Sequence, residues 1–231
     1  DDVTYRFARR GTASKDKYAG TDKQWAAAEK EMKRILDDFG VVYSETYGEA
    51  AFYGPKLDVQ MKNVHGKEDT LVTIQLDMCL AERFDMSYVT ESGEKARPYI
   101  IHRTSMGCYE RMLAMLIEKY AGAMPVWLSP TQVRVLSLTD RTGVAAAEIA
   151  EKLTNMGFRA EADLRSEKLG YKIRSAGVEK IPYVLVIGDK EAERGTVSVR
   201  SRYDEVPKEM TFEDFATKLY YDVKNKVIRE K

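Results

Sequence analysis

Cysteine and histidine are both scarce in this sequence. Its 231 residues include two cysteines, Cys79 and Cys108, and two histidines. Two cysteines without a repeated spacing exclude a disulfide framework and a cysteine zinc cluster, and they indicate a reducing compartment. We therefore expect a cytoplasmic protein without disulfide bonds.

Long apolar runs and an excess of one charge are missing as well. No stretch approaches the roughly 18 consecutive apolar residues of a membrane span. Asp1–Thr4 opens the sequence without the basic and apolar regions of a signal peptide, so we expect no membrane association. The 37 basic and 37 acidic residues cancel, whereas strong nucleic-acid binders usually carry a basic excess. Any contact with a nucleic acid must therefore come from local patches.

The first half of the chain has the pattern of a helix followed by antiparallel strands. Residues 21–39 have apolar residues at helical spacing, and Thr21 and Gln24 form a capping-box pattern at the start. Segments 57–61 and 72–78 alternate apolar and polar residues, which predicts two strands joined by a loop at 63–69. The apolar face of the helix consists of Trp25, Ala28, Met32, Leu36 and Phe39.

The second half begins after 124–130, where two prolines bracket Trp127 in a linker-like pattern. Alternating strands and helices then indicate a mostly parallel or mixed sheet flanked by helices. The chain therefore reads as an α+β domain at 1–126 followed by an α/β domain at 131–231. The predicted strands are 132–138, 158–164, 181–187 and 196–200, and the predicted helices are 143–156, 168–177 and 211–228.

The most informative stretch is 101–111, which has the pattern of a strand that enters a helix. Gly107 permits close approach of a ligand or a second backbone. Arg111 adds five rigid donors and a permanent charge, which suit a phosphate group. By spacing alone, this short motif favours a structural joint between strand and helix.

Several other motifs make the pattern specific, because they occur together in a fixed order. In order and spacing they resemble threonyl-tRNA synthetase, a class II aminoacyl-tRNA synthetase, over nearly the whole chain. The resemblance implies part of an antiparallel-sheet class II catalytic core, followed by a βαβαββα anticodon-binding domain. The motifs are Gly48–Lys56, Thr73–Asp77, Ile101–Arg111, Trp127–Pro130, Asp163–Arg165 and Ile187–Glu191.

The resemblance implies a threonine–tRNA ligase that uses ATP with magnesium, L-threonine and tRNA-Thr, and that is a homodimer when intact. Arg111, Glu110 and Gly107 match the third class II signature, which implies contacts to ATP. Tyr53 and Gln75 match residues that hold the amino acid and help to place the tRNA end, so Arg111, Gln75 and Tyr53 form the expected catalytic set. Glu110 fits a helix-start carboxylate equally well, and Tyr53 also fits a packed turn aromatic.

One zinc ligand of the family falls on His102. The substrate amine and hydroxyl both bind this metal in the family, which separates threonine from valine. A tetrahedral zinc with an open position needs three protein ligands. This chain supplies one, because His65 lies in a polar turn, so the remaining ligands are expected upstream of residue 1. Without the resemblance, His102 would be taken for an ordinary surface or hydrogen-bonded histidine.

Four charged residues match anticodon-contacting positions of the family: Arg174, Lys190, Glu191 and Arg200. Single-stranded bases are read by stacking and by hydrogen bonds to their edges, although charges on a helix face are otherwise typical of solvated surface. The sequence departs from the family where Ser166 replaces an asparagine and where Lys180 replaces an arginine.

The largest departure is that the first two class II signatures and an editing domain are missing from the sequence. We therefore expect the C-terminal part of a longer synthetase, inactive on its own. Two alternatives stay open. One is a non-catalytic tRNA-binding or regulatory relative, and the other is a prolyl- or histidyl-type ligase, which His102 disfavours.

Overall fold

The computed structural model describes residues 3–12 and 15–229. The contacts divide the chain into two compact units, Asp1–Met115 and Leu116–Lys231, called the first and the second unit below. The domain limits of 1–126 and 131–231 stay a prediction. Residues 1, 2, 230 and 231, at the ends of these predicted domains, lie outside the described residues. The prediction that the sequence opens without a signal peptide also falls partly on residues outside this range.

The first unit is built on a sheet whose strands are mostly antiparallel. Its strands are β1 Val3–Arg9, β2 Ser44–Tyr47, β3 Lys56–Lys62, β4 Glu68–Asp77, β5 Tyr88–Val89, β6 Lys95–Ala96 and β7 Ile100–Arg103. Helices α1 Asp22–Asp38 and α2 Leu80–Arg83 connect them, and α3 Tyr109–Lys119 follows. The main sheet has the order β2-β1-β3-β4-β7, and β5 pairs with β6 separately. The β1–β2 pair is parallel and the other pairs are antiparallel, as the predicted class requires.

Helix α1 begins with the predicted capping box. The Thr21 hydroxyl accepts a hydrogen bond from the Gln24 amide at 3.3 Å, and Gln24 Oε1 accepts one from the Thr21 amide at 2.7 Å. The prediction that Phe39 shares the buried face is wrong, because the helix ends before this residue and its side chain is 81% exposed. The face that packs on the sheet includes Trp25, Ala28 and Leu36.

The second unit has the predicted mixed sheet. Its strands are β8 Val133–Ser137, β9 Ala160–Asp163, β10 Tyr183–Ile187, β11 Thr196–Ser201 and β12 Lys208–Thr211. Its helices are α4 Gly143–Asn155, α5 Leu169–Val178, α6 Asp189–Arg194 and α7 Phe212–Lys224. The order is β12-β11-β10-β8-β9, with β8, β9 and β10 parallel and β11 and β12 antiparallel. The short elements α6 and β12 are additions to the predicted βαβαββα pattern.

The core of the second unit lies on both faces of this sheet. Helices α4 and α7 cover one face with Leu153, Phe215 and Leu219. Helix α5 covers the other face, where Ala176 packs on Val184. All residues of β8 and β10 are buried as a result. Across the described parts of both units, no helix combines the length and the apolar character that crossing a bilayer requires.

Candidate active site and anticodon-type surface

Strand β4 separates apolar from polar side chains in the first unit. Ile74 and Leu76 join the clusters under α1, whereas Thr73 and Gln75 line a cavity on the opposite face of the sheet. The register places Gln75 directly opposite His102 on β7. The polar row that the alternation predicted therefore lies on one face of a central strand.

A cavity of about 270 Å³ lies on this polar face. Gln75, His102, Gly107 and Arg111 all line it, so the structure brings together four residues that the sequence predicted. Tyr53, another predicted residue, donates a hydrogen bond from its hydroxyl to Gln75 Oε1. Its ring meets the His102 ring edge-on, with 5.8 Å between the ring centroids. Tyr53 and His102 also line a neighbouring cavity of about 210 Å³.

His102 is held by the buried carboxylate of Asp77, a residue of the polar face of β4 for which the sequence predicted no individual role. His102 Nε2 lies 2.8 Å from Asp77 Oδ2, and Asp77 is 1% exposed. Asp77 Oδ1 accepts hydrogen bonds from the amides of Cys79 at 2.7 Å and Leu80 at 3.0 Å. Burial alone raises the pKa of Asp77, but the hydrogen bonds from His102 and the two amides outweigh it and hold the pKa below its ordinary value.

The junction between β7 and α3 requires glycine and presents an arginine. Gly107 has a φ of +67°, and a Cβ atom there would lie 1.7 Å from the carbonyl oxygen of Leu71. A larger residue would therefore have to push the β4 backbone away. Arg111 Nη1 donates to the carbonyl oxygen of Thr70 at 2.6 Å, which anchors the guanidinium at the edge of the cavity.

Glu110, the other member of the predicted Glu-Arg pair, is exposed. Its carboxylate accepts a hydrogen bond from Cys108 Sγ at 3.0 Å. This thiol, followed by the backbone amide of Glu110 itself, holds the pKa of Glu110 below its ordinary value. The contact to ATP that the resemblance implied for Glu110 stays a prediction.

The described residues contain no group of three or more His, Cys, Asp or Glu side chains placed to hold a metal ion. His102 nevertheless fits a role as one ligand. Metal-binding histidines typically present one ring nitrogen to a carboxylate and the other to the metal, and Asp77 occupies the Nε2 side. His65 is exposed in the turn before β4, where its backbone amide donates to Asn63 Oδ1 at 2.9 Å.

The four residues that the sequence assigned to anticodon contacts are placed on three elements of the second unit. Arg174 lies on α5, Lys190 and Glu191 lie on α6, and Arg200 lies on β11. Arg174, Lys190 and Arg200 are exposed. Glu191 is half-buried, and its Oε2 accepts a hydrogen bond from the Gly188 amide at 3.0 Å, so it also caps α6.

Arg200 lines a surface cavity of about 210 Å³ next to α5. Gly177 of α5 and Lys180, which follows that helix, line the same cavity. Lys180 has a left-handed φ of 58°, and its ammonium group donates to the carbonyl oxygen of Ala121. Lys180, one of the two residues that depart from the family, is thus bound to the backbone within the second unit.

Two family models match the chain, one in each half. The model described as "tRNA synthetase class II core domain (G, H, P, S and T)" matches residues 14–120. The model described as "Anticodon binding domain" matches residues 132–220.

Several similar proteins are named threonine–tRNA ligase or threonyl-tRNA synthetase. The threonine–tRNA ligase of Clostridium perfringens is 52% identical over 226 residues, which cover 98% of this chain and 35% of that protein. The threonine–tRNA ligase of a Geobacillus species is 44% identical over 97% of this chain. A crystal structure of the RNA-binding domain of threonyl-tRNA synthetase from Cryptosporidium parvum covers 94% of this chain and 54% of its own, with 32% identity and a TM-score of 0.84. The chain spans about a third of the length of the curated relatives it matches.

Proposed function

Because the chain belongs to the threonyl-tRNA synthetase family, we propose that it is the C-terminal part of a threonine–tRNA ligase. The whole enzyme activates L-threonine with ATP and magnesium and transfers it to tRNA-Thr. The observation that carries this proposal is the meeting of Tyr53, Gln75 and His102 on one polar sheet face, beside Arg111. The whole enzyme is a cytoplasmic homodimer in this proposal.

In this proposal, Arg111 and Gly107 form part of the ATP-binding site. In the activation step, a carboxylate oxygen of threonine forms a bond to the α-phosphorus of ATP, and the bond from that phosphorus to pyrophosphate breaks. The site must neutralise phosphate charge and hold the reactants in line. Arg111 has one nitrogen fixed on Thr70, so its permanently charged guanidinium is oriented before ATP binds. Gly107 allows the chain to turn tightly against β4 at the same place.

The amino acid threonine is bound in this proposal by Tyr53, Gln75 and His102. The bonded pair Tyr53–Gln75 offers a preformed polar surface for the amino group of threonine. His102 would contribute one ligand to zinc, and further ligands would come from polypeptide outside this chain. When bound, zinc would supply a Lewis-acidic centre for the polar groups of threonine, including the hydroxyl that valine lacks.

The second unit binds the anticodon of tRNA-Thr in this proposal. The exposed cations Arg174, Lys190 and Arg200 attract the nucleic acid, and Glu191 can accept a hydrogen bond from a base edge. The cavity beside Arg200 gives a base a recess next to a guanidinium. These contacts are local, which is compatible with a net charge of zero.

Threonine-dependent exchange of pyrophosphate into ATP tests the catalytic part in the intact protein that contains this chain. We expect the exchange in the unmodified protein and its loss in His102→Ala. Equal activity in both would contradict the role of His102. If the unmodified protein binds tRNA without any exchange, the non-catalytic tRNA-binding or regulatory alternative is favoured.

Binding of tRNA-Thr tests the role of the second unit. Arg200→Ala should weaken tRNA binding about tenfold and leave the exchange unchanged, because loss of a base-contacting arginine costs about 1–3 kcal/mol. Lys152→Ala, on α4 at the other face of the sheet, is the matched control and should bind like the unmodified protein. Loss of exchange with unchanged tRNA affinity in Arg200→Ala would contradict the division of labour.

A further inference from the structure

Asp77 is placed to decide which nitrogen of His102 carries the proton. Its two oxygens have different partners: Oδ1 accepts from the Cys79 and Leu80 amides, and Oδ2 faces His102 Nε2 at 2.8 Å. An ionised carboxylate can only accept hydrogen bonds, so the ring nitrogen that faces it must be the donor. Asp77 is 1% exposed, so water has little access to its carboxylate, whereas 41% of the His102 side chain is exposed.

We propose that Asp77 is a positioning residue that holds His102 as the tautomer protonated on Nε2, with the free electron pair on Nδ1. The assignment of Nδ1 as the ligand nitrogen rests on the proposed function, whereas the tautomer itself does not. The ring is oriented by a second contact, because Tyr53 meets it edge-on. The Tyr53 hydroxyl is bonded to Gln75.

One isosteric substitution separates this role from a merely structural one. In Asp77→Asn, the amide oxygen must remain at the Oδ1 position, because an NH2 group there would face the Cys79 and Leu80 donors. The NH2 group then faces His102 Nε2, which becomes an acceptor, and the proton moves to Nδ1. The side chain keeps its shape while the tautomer of His102 is reversed.

The tautomer can be read directly by two-bond ¹H–¹⁵N NMR of the 231-residue chain with ¹⁵N-labelled histidine. The chain contains two histidines, so a His65→Gln variant assigns both sets of signals. In a mildly alkaline buffer we expect His102 to be protonated on Nε2 in the unmodified chain. In Asp77→Asn we expect protonation on Nδ1.

Asp58→Asn is the matched control. Asp58 is another buried carboxylate of the same sheet, but it accepts hydrogen bonds from Lys56 and Thr73, so its variant should keep the unmodified signals of His102. An Nδ1–H or doubly protonated ring in the unmodified chain would overturn the proposal, and so would an unchanged tautomer in Asp77→Asn. If Asp77→Asn does not fold, the tautomer of His102 in the unmodified chain still decides whether the proposal holds.

Zinc binding by the intact protein tests the consequence for the ligand nitrogen. With zinc alone as the probe, in competition with a chromogenic chelator, Asp77→Asn should lower the affinity about 10- to 100-fold, and Asp58→Asn should not. If the unmodified protein binds no zinc, the metal role in the proposed function fails while the NMR result still decides the tautomer. If both proteins bind zinc equally, the assignment of the ligand nitrogen to Nδ1 is overturned.

Discussion

The central strands of the two units differ in how much of their surface they bury. In the second unit all residues of β8 and β10 are buried, because helices cover both faces of the sheet. In the first unit β4 runs for ten residues and only Asp77, at its end, is buried. A sheet that is apolar on both faces maximises stability, whereas a sheet with one half-exposed polar face keeps donors and acceptors available for ligands.

The two units also differ in what their buried charged side chains contact. In the second unit, Lys172 donates to three oxygens of Ser137 and Asp163, and Asp222 accepts from Tyr183 and Arg229, so these groups tie helices to the sheet. In the first unit, the buried carboxylate of Asp77 orients a side chain that lines a cavity. Buried charges thus serve packing in both units, as Asp58 does in the first, and in the first unit Asp77 also holds a side chain that lines a cavity.

The largest expected effect comes from removing one core phenylalanine in each unit. Phe215→Ala should cost about 4 kcal/mol in the second unit, and Phe7→Ala about 3 kcal/mol in the first, since both side chains are fully buried but Phe215 belongs to the larger cluster. Native-state hydrogen exchange of the amides in each unit measures this cost. A larger loss for Phe7→Ala would contradict the difference between the units.

A medium effect is expected at the strand–helix junction of the first unit. Gly107→Ala should cost about 3 kcal/mol, because the substitution adds a clash with the Leu71 carbonyl to the strain of a left-handed residue. Gly66→Ala is the control: Gly66 also has a positive φ of +74° but no atom within 4 Å of the added Cβ, so about 1 kcal/mol is expected. Denaturant unfolding compares the two variants, and equal costs would show that the close approach of α3 to β4 is unimportant.

The smallest effect is expected at the edge strand β2 of the first unit, where Glu45 contacts Lys33 and Arg9. Hydrogen bonds from Lys33 at 2.5 Å and Arg9 at 2.8 Å lower the pKa of Glu45 to about 2. This depressed pKa stabilises the fold above the unfolded pKa of about 4.3, and the contribution is lost as the pH falls towards about 2. Glu45→Gln should therefore cost about 1 kcal/mol at neutral pH, after screening by solvent.

The same variant should cost progressively less in acid, as followed by urea unfolding at several pH values. Glu31→Gln, which removes the exposed partner of Arg34, is the control and should change little at any pH. A cost for Glu45→Gln that does not depend on pH would contradict the charge-based explanation.

Elements with strong periodicity or a clear start signal could be predicted from the sequence. The capping box of Thr21 and Gln24 marked the start of α1, and the alternation around Ile74 assigned the two faces of β4. The mixed sheet of the second unit followed from alternating strands and helices. Short elements such as α6 and β12 were missed, because six or four largely exposed residues carry little periodic signal.

The candidate site, like the fold, could be predicted from the sequence only in part. The resemblance identified Tyr53, Gln75 and His102, and strand alternation explains why Gln75 reaches the polar face. The resemblance placed the polar face of β4 beside His102, but the specific hydrogen bond between Asp77 and His102 was not predicted, because it joins residues 25 apart through the diagonal of an antiparallel pair. The position of Phe39 was wrong because periodicity does not indicate the residue at which a helix ends.

The parallel pairing of β1 and β2 has a consequence for the order in which the first unit folds. The strands β3 and β4 are joined by a tight turn and can pair early, because closing so short a loop costs little entropy. The edge strand β2 can align with β1 only after the whole crossover that contains α1 is laid down. We therefore expect the hairpin to nucleate and β1 and β2 to join it later, which makes these long-range pairings the slow step of assembly.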